Sequence, residues 1–172
     1  DVTKIPPMQR TLMGMGRSFQ IPQPFDNMSV FENVLVAACF GQNVSESVAI
    51  DTCADILEQT EMMHLANMPA SKLSLLERKR LELARAMATH PKLLMLDEPS
   101  AGVSPIIMDG LFNKIKEIAN QGTAVLMVEQ NAKQALKISD LGFVLSQGKN
   151  LFTDSGNSLL ANKEVRQAFL GG

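Results

Sequence analysis

Asp97 and Glu98 stand side by side at the end of an apolar run, in "KLLMLDEPSAGVSP" over residues 92–105, and the chain turns at Pro99 directly after them. "KLLMLD" is too short for a helix and fits a strand buried on both faces. In α/β proteins ligands bind beyond the carboxyl ends of strands, which is where both acids fall. Two adjacent carboxylates there suit two tasks: an oxygen ligand for a divalent cation, and a general base that polarises an attacking water. A merely solvated strand end carries the same two residues, so the pair acquires meaning only from what surrounds it.

The elements that must position the pair follow from periodicity and punctuation. Up to about residue 29 the chain has Pro6, Pro7, Pro22, Pro24, Gly14 and Gly16, and reads as loop with a short strand around Ser18–Gln20. Ser29 is placed to cap a helix from Val30, with Glu32 in its first turn. "SESVAIDTCADILEQTEM" has helical spacing, with Val48, Thr52, Ile56 and Leu57 near one face. Ser74 and Glu77 fit a capping box that opens the helix "SLLERKRLELARAMATH". Leu81, Ala84 and Ala88 form its apolar stripe, and Arg78 and Lys79 are assigned to water.

Ser104–Pro105 reads as a helix start, with Ile107, Leu111, Ile115 and Ile118 inward and Gly122 at the exit. "TAVLMV" is a second buried strand, "NAKQALKIS" a helix, and "LGFVLS" with "KNLFT" a hairpin turning at Gln147-Gly148. Two short helices finish the chain. Strands alternate with helices from residue 92 onward, which gives an α/β layout with a mostly parallel sheet.

Composition narrows the function. The chain has 172 residues, 45% hydrophobic and 20% charged, enough for one domain with its own core. A net charge of −2 without a basic block argues against nucleic acid. Cys39 and Cys53 lack metal-type spacing and read as buried thiols in a reducing compartment. The 11 methionines read as core filler. No segment is apolar over the length that crosses a bilayer, about 20 residues, and no secretory signal opens the chain, so a cytosolic location is expected. His64 and His90 are expected at the surface.

Three stretches resemble the ATP-binding cassette (ABC) ATPases, in that family's order and across nearly the whole chain. "LLMLDEPSAG" is similar to the Walker B motif and D-loop. "LSLLERKRLELARAMATHPK" is similar to the signature motif and its helix, and "GRSFQIPQPFDNMSVFENVLVA" to the Q-loop and the helical subdomain after it. The interval from Ser74 to Asp97 also matches. Within the family, "RSFQ", "MSVFENVLVA", "VEQNAKQALKISD" and "SLLANKEVRQAFLGG" most resemble the ATPases of branched-chain amino acid importers, with lipopolysaccharide-export and urea-import ATPases similar.

The resemblance implies an α/β fold: a partial ABC-type P-loop NTPase domain, with a mostly parallel sheet and a helical subdomain. It divides the chain into a Q-loop region at 1–29, a helical subdomain at 30–72, and a part at 73–172 with signature helix, Walker B strand and C-terminal α/β elements. It implies ATP and Mg²⁺ as cofactors in the full-length protein. Asp97 would position Mg²⁺, Glu98 would be the general base, and Gln20 would touch Mg²⁺ and the attacking water. Ser74 and its neighbours through Glu77 would contact the γ-phosphate of ATP held by an opposite subunit. Ser104 takes the D-loop aspartate's place, and Gln130 that of a histidine which contacts the γ-phosphate.

Transmembrane permease subunits are the implied partners, docking on residues from about 26 to 70, together with a second ATPase subunit, identical or paralogous. The location implied is cytoplasmic, peripheral on the inner face of the cell membrane.

Besides Ser104 and Gln130, the chain departs from that pattern in two places. No G-x-x-x-x-G-K-[ST] occurs in its 172 residues, so the backbone N–H cradle and lysine for the phosphates are not encoded in them. The sequence therefore reads as the C-terminal two-thirds of such an ATPase. The usual L-S-G-G-Q is Leu73-Ser74-Leu75-Leu76-Glu77, and the isobutyl group of Leu76 crowds a close backbone approach to phosphate. The parent protein is expected to hydrolyse ATP and this chain alone to be inactive. The alternative is a non-hydrolysing module that binds a permease. Apolar edges of "LLMLD" and "AVLMV" are expected to be exposed, with self-association or rearranged strand order as the consequence.

Overall fold

The computed structural model describes residues 1–169. The Leu170-Gly171-Gly172 end, part of the resemblance above, lies outside the described residues. Helix α1 (Pro7–Leu12) comes first, with Pro7 at its first position. A proline there gives up no hydrogen bond, because the first N–H groups of a helix have no partner in it. Strand β1 (Met15–Arg17) follows. It lies earlier than the strand expected around Ser18–Gln20. Pairing still reaches Ser18, whose N–H donates to the Met95 carbonyl at 2.9 Å.

Helices α2 (Val30–Gln42) and α3 (Glu46–Gln59) form a helical unit with α4 (Leu75–Ala88). Capping boxes open both α2, through Ser29 and Glu32, and α4, through Ser74 and Glu77. The core of the unit includes Val30, Val34, Cys53, Leu57 and Leu81, all completely enclosed. On α3 the buried face is Ala49, Cys53, Ile56 and Leu57, and Val48 is exposed. The helix phase is set by what α2 and α4 offer, and it turns Ala49 and Cys53 inward in place of Val48.

Strand β2 (Leu93–Asp97) pairs in parallel with β1 on one side and with β3 (Ala124–Val128) on the other, giving the order β1-β2-β3. Helix α5 (Pro105–Asn120) covers one face of this sheet with Leu111, Phe112, Ile115 and Ile118. Ile107, expected inward, is 37% exposed. Leu94 and Leu96 are buried beneath α5, whereas Leu93 and Met95 are half-buried. The sheet is thus sealed on one face, where burial on both was expected. On β3, Leu126 is 54% and Val128 62% exposed.

Helix α6 (Ala132–Ile138) leads to a separate hairpin of β4 (Gly142–Ser146) and β5 (Lys149–Asp154). Gln147 and Gly148 both have positive φ, as a two-residue hairpin turn requires. Helices α7 (Gly156–Ala161) and α8 (Lys163–Phe169) pack near its base through Leu159 and Val165. Among the described residues no helix is long and apolar enough to cross a membrane. The architecture is α/β with a parallel three-stranded sheet.

Candidate functional site

The carboxyl ends of β2 and β3 meet the loop that follows β1, and the candidate residues gather there. Asp97 closes β2 opposite Val128. Glu98 comes next with φ +45, a left-handed conformation that costs a non-glycine residue of order 1 kcal/mol. Its backbone is held from both sides: its N–H donates to the Val128 carbonyl at 2.9 Å, and its carbonyl accepts from the Ala101 N–H at 3.0 Å.

Two glutamines converge on that side chain. The Gln20 amide donates to Glu98 Oε2 from the loop after β1, and Gln130 Nε2 donates to Glu98 Oε1 at 2.8 Å from the loop after β3. They lie 78 and 32 residues from Glu98 in sequence, so the fold alone brings them together. Asp97 Oδ2 pairs with the Arg17 guanidinium at 3.3 Å, and Arg17 also lies over the Phe19 ring at 4.7 Å. Glu129 ties the two strand ends together, accepting from the Ser100 N–H at 2.7 Å and the Asn131 N–H at 2.9 Å.

Lys79 sits beneath this cluster, 7% exposed. Its ammonium donates to the carbonyls of Glu98 at 3.2 Å and Gln20 at 3.4 Å. The assignment of Lys79 to water is therefore corrected, because α4 is walled in on that side by the strand ends and the loop. Burial pulls the Lys79 ammonium below its ordinary range, while Glu129 and Glu98 counteract. Arg78, also assigned to water, is half-buried and reaches Asp26 at 3.2 Å.

The remaining predicted residues lie at the ends of helices. Ser74 and Glu77 bond each other: Glu77 Oε2 accepts from the Ser74 N–H and hydroxyl, both at 2.7 Å. These two bonds hold the Glu77 carboxyl below its usual range, the side-chain bond foremost. Ser104 occupies the N-cap position of α5 but makes no side-chain capping bond, so it opens the helix by backbone geometry alone. The start of α4 and the loop after the acids approach at Gly102: a Cβ there, at φ +74, would stand 3.0 Å from Leu75 Cδ2. His64 and His90 are exposed.

The structure thus joins Gln20 and Gln130 to Glu98, beside Asp97 at the end of β2, and leaves Ser74, Glu77 and Ser104 outside that group. The sequence reading missed Arg17, Lys79 and Glu129. For Lys79 a signal existed: Lys79, Glu82 and Arg85 recur every third residue on a helix whose apolar stripe lies elsewhere. Chemically, Asp97 offers a carboxylate and Gln20 an amide oxygen, hard donors of the kind Mg²⁺ accepts while keeping most of its shell for water or phosphate oxygens. No group of three or more His, Cys, Asp or Glu that could hold a metal ion forms among the described residues. The donors therefore fit a cation shared with a phosphate ligand better than a cation caged by protein.

The sequence profile of the family described as "ABC transporter" matches residues 2–101. The chain is 36% identical, over 86% of its length, to the high-affinity branched-chain amino acid transport ATP-binding protein BraG of Pseudomonas aeruginosa, and spans 63% of that protein. It is 34% identical, over 99% of its length, to the probable branched-chain amino acid transport ATP-binding protein LivG of Archaeoglobus fulgidus, and spans 71% of it. Among solved structures, the ADP conformation of MJ1267, an ATP-binding cassette of an ABC transporter, superposes with a TM-score of 0.84 at 29% identity. That superposition covers all of this chain and 74% of the other.

Proposed function

This chain belongs to the ABC transporter family of ATP-binding cassettes, and from that premise we propose that it carries the acid pair of an ATPase that drives uptake of branched-chain amino acids. The observation that carries the reading is the convergence of Gln20 and Gln130 on the two oxygens of Glu98, beside Asp97 at the end of a parallel strand. A general base must be aimed, and two amide donors fix the Glu98 carboxylate in one orientation. Asp97 and Gln20 are the residues to hold Mg²⁺, which when bound neutralises charge on the phosphate oxygens. Gln130 can hydrogen-bond a phosphate oxygen but brings no positive charge. The branched-chain solute is supported by the names of the Pseudomonas and Archaeoglobus relatives. The partners proposed are permease subunits and a second cassette, whose ATP would meet Ser74 and its neighbours. Residues 30–72 are proposed as the unit facing the permease.

Two observations favour a second reading, a permease-binding module without hydrolysis. Arg17 already pairs with the Asp97 carboxylate that would take the cation, and Leu75-Leu76 replace the signature glycines.

Calorimetry with Mg-ATP separates the two. The chain by itself is expected to bind weakly and to show no turnover; measurable turnover by it alone refutes the assignment of the phosphates to residues outside it. Fused behind the phosphate-loop segment of the Pseudomonas relative, it is expected to hydrolyse ATP, and Glu98→Gln to lower turnover by about 10² or more while nucleotide still binds. Turnover indifferent to Glu98→Gln eliminates the first reading. Binding without turnover in the fusion supports the second.

A further inference from the structure

Helix α4 faces three ways. Leu81, Ala84 and Ala88 belong to the core of the helical unit, and Leu83 and Ala86 to the core beneath the sheet. Between these faces Lys79, Glu82 and Arg85 point at the segment 18–25, which carries Gln20. That segment needs outside help. Pro22 and Pro24 have no N–H, and the ladder pairing ends at Ser18, so its carbonyls have no regular partners. Lys79 takes the Gln20 carbonyl. Arg85 Nη1 takes the Gln23 carbonyl at 2.8 Å and Glu82 Oε2 at 3.0 Å, and its guanidinium lies 5.0 Å from the centre of the Phe25 ring. Glu82 is as enclosed as Lys79, at 7% exposure.

The bonds around Lys79 close a ring. Gln20 and Glu98 are joined through their side chains, and one ammonium joins their backbone carbonyls. An apolar side chain of similar length would fill the same volume without the desolvation penalty of a buried ammonium. It could not grip two carbonyls, nor restrain Glu98 in its left-handed conformation.

We propose that Lys79, on the same helix face as the Glu82–Arg85 pair that holds the Gln23 carbonyl, is the positioning residue of the acid site: it sets where the Gln20 amide meets the Glu98 carboxylate, so that α4, the loop after β1 and the acid pair move as one body. Its catalytic consequence rests on the reading of Glu98 as general base. The geometry itself can be read without nucleotide.

The test is nuclear magnetic resonance on the 172-residue chain, following the side-chain NH₂ of Gln20, assigned by its loss in Gln20→Ala. In Lys79→Met the Gln20 amide protons are expected to exchange with water about tenfold faster and to shift towards the position of an exposed glutamine. Lys79→Arg should retain most of the original shift, and the melting temperature of Lys79→Met should stay within a few degrees of the parent. A Gln20 amide unchanged in folded Lys79→Met overturns the proposal, and so does an equal disturbance in Lys79→Arg. A further measurement needs no variant: scalar couplings across the hydrogen bonds, from Lys79 Nζ to the carbonyl carbons of Gln20 and Glu98. Their detection supports the ring, and their absence in the unaltered chain overturns it. Lack of ATP turnover leaves every one of these readouts intact, so this proposal and the ATPase reading fail separately.

Discussion

On one side of α4, Val34, Cys53 and Leu57 are completely enclosed; on the open face of the sheet, Leu126 and Val128 are more than half exposed. Both regions are apolar in sequence, and the contrast lies in what covers them. The helical unit finds its partners within residues 30–88, with two capping boxes fixing where its helices begin. Among the described residues the sheet has α5 on one face only, and β3 is paired on one edge only. Phe143 and Leu145 of the hairpin are exposed as well. Stability is therefore concentrated in the helical unit and under α5. The site lies where that firm half meets the open one, its acids on the sheet and its braces on α4.

The largest expected effect tests that contrast directly. Leu57→Ala removes an enclosed side chain and is expected to cost about 2–5 kcal/mol in urea denaturation. Leu126→Ala, on the open face, should stay within about 0.5 kcal/mol. Equal costs would mean that the outer face of the sheet is covered in solution and would break the comparison. Next comes Asn33, fully buried at the root of the loop that carries Gln20. It accepts from the Phe25 N–H at 2.8 Å and donates to the carbonyls of Ser29 at 2.9 Å and Phe25 at 3.1 Å. Asn33→Leu leaves the Phe25 N–H unpaired, while the two carbonyls keep the Met28 and residue-33 backbone N–H groups, and should cost about 1–3 kcal/mol. It should also speed amide exchange at Phe25, and a variant of undiminished stability would show the loop to be held from the α4 side alone.

Much of this was readable from residue types. The strand that ends in Asp97 just before Glu98, the capping box of α4, Ser29 as the cap of α2, Pro105 at the start of α5 and the Gln147-Gly148 turn are local signals, each set by a few neighbouring residues. What escaped depends on partners distant in sequence. Cys53 displaces Val48 from the core because the space left by α2 and α4 selects the helix phase. Lys79 is buried because the loop after β1 closes over it, and nothing local to α4 announces that loop. Helix α1 hides among prolines and glycines, since Pro7 suits the first turn of a helix as well as it suits a loop. The acids were legible, and the family resemblance pointed to Gln20 and Gln130, but the cations Arg17 and Lys79 join them only through tertiary structure.

A smaller effect on stability accompanies a plain change in association. The exposed face of β3 and its unpaired edge form a surface that tends to pair with another chain. The chain is expected to scatter light as a species larger than a monomer at high concentration. Leu126→Lys with Val128→Lys should shift it towards the monomer and move its stability by less than about 1 kcal/mol. A clean monomer at every concentration, before any substitution, would show that the open face is harmless in water and that exposure alone does not make it adhesive.

The smallest effect is electrostatic and sets two carboxylates of α4 against each other. Glu77, bonded to Ser74, has its pKa lowered from 4.5; Glu82, desolvated by burial and only partly compensated by Arg85, has its pKa raised from 4.5. For Glu77 the unfolded chain binds the proton more readily, so its stabilising contribution is full above 4.5 and disappears as pH falls through the lower folded value. For Glu82 the folded chain binds the proton more readily, so in the window above 4.5 stability declines as pH rises. Urea denaturation from pH 3 to 7 should then show the parent gaining on Glu77→Gln with rising pH below 4.5. It should show the parent losing ground to Glu82→Gln with rising pH above 4.5. The same sign for both variants would mean that α4 has no distinct enclosed polar face, and the brace assigned to Lys79, Glu82 and Arg85 would lose its physical basis.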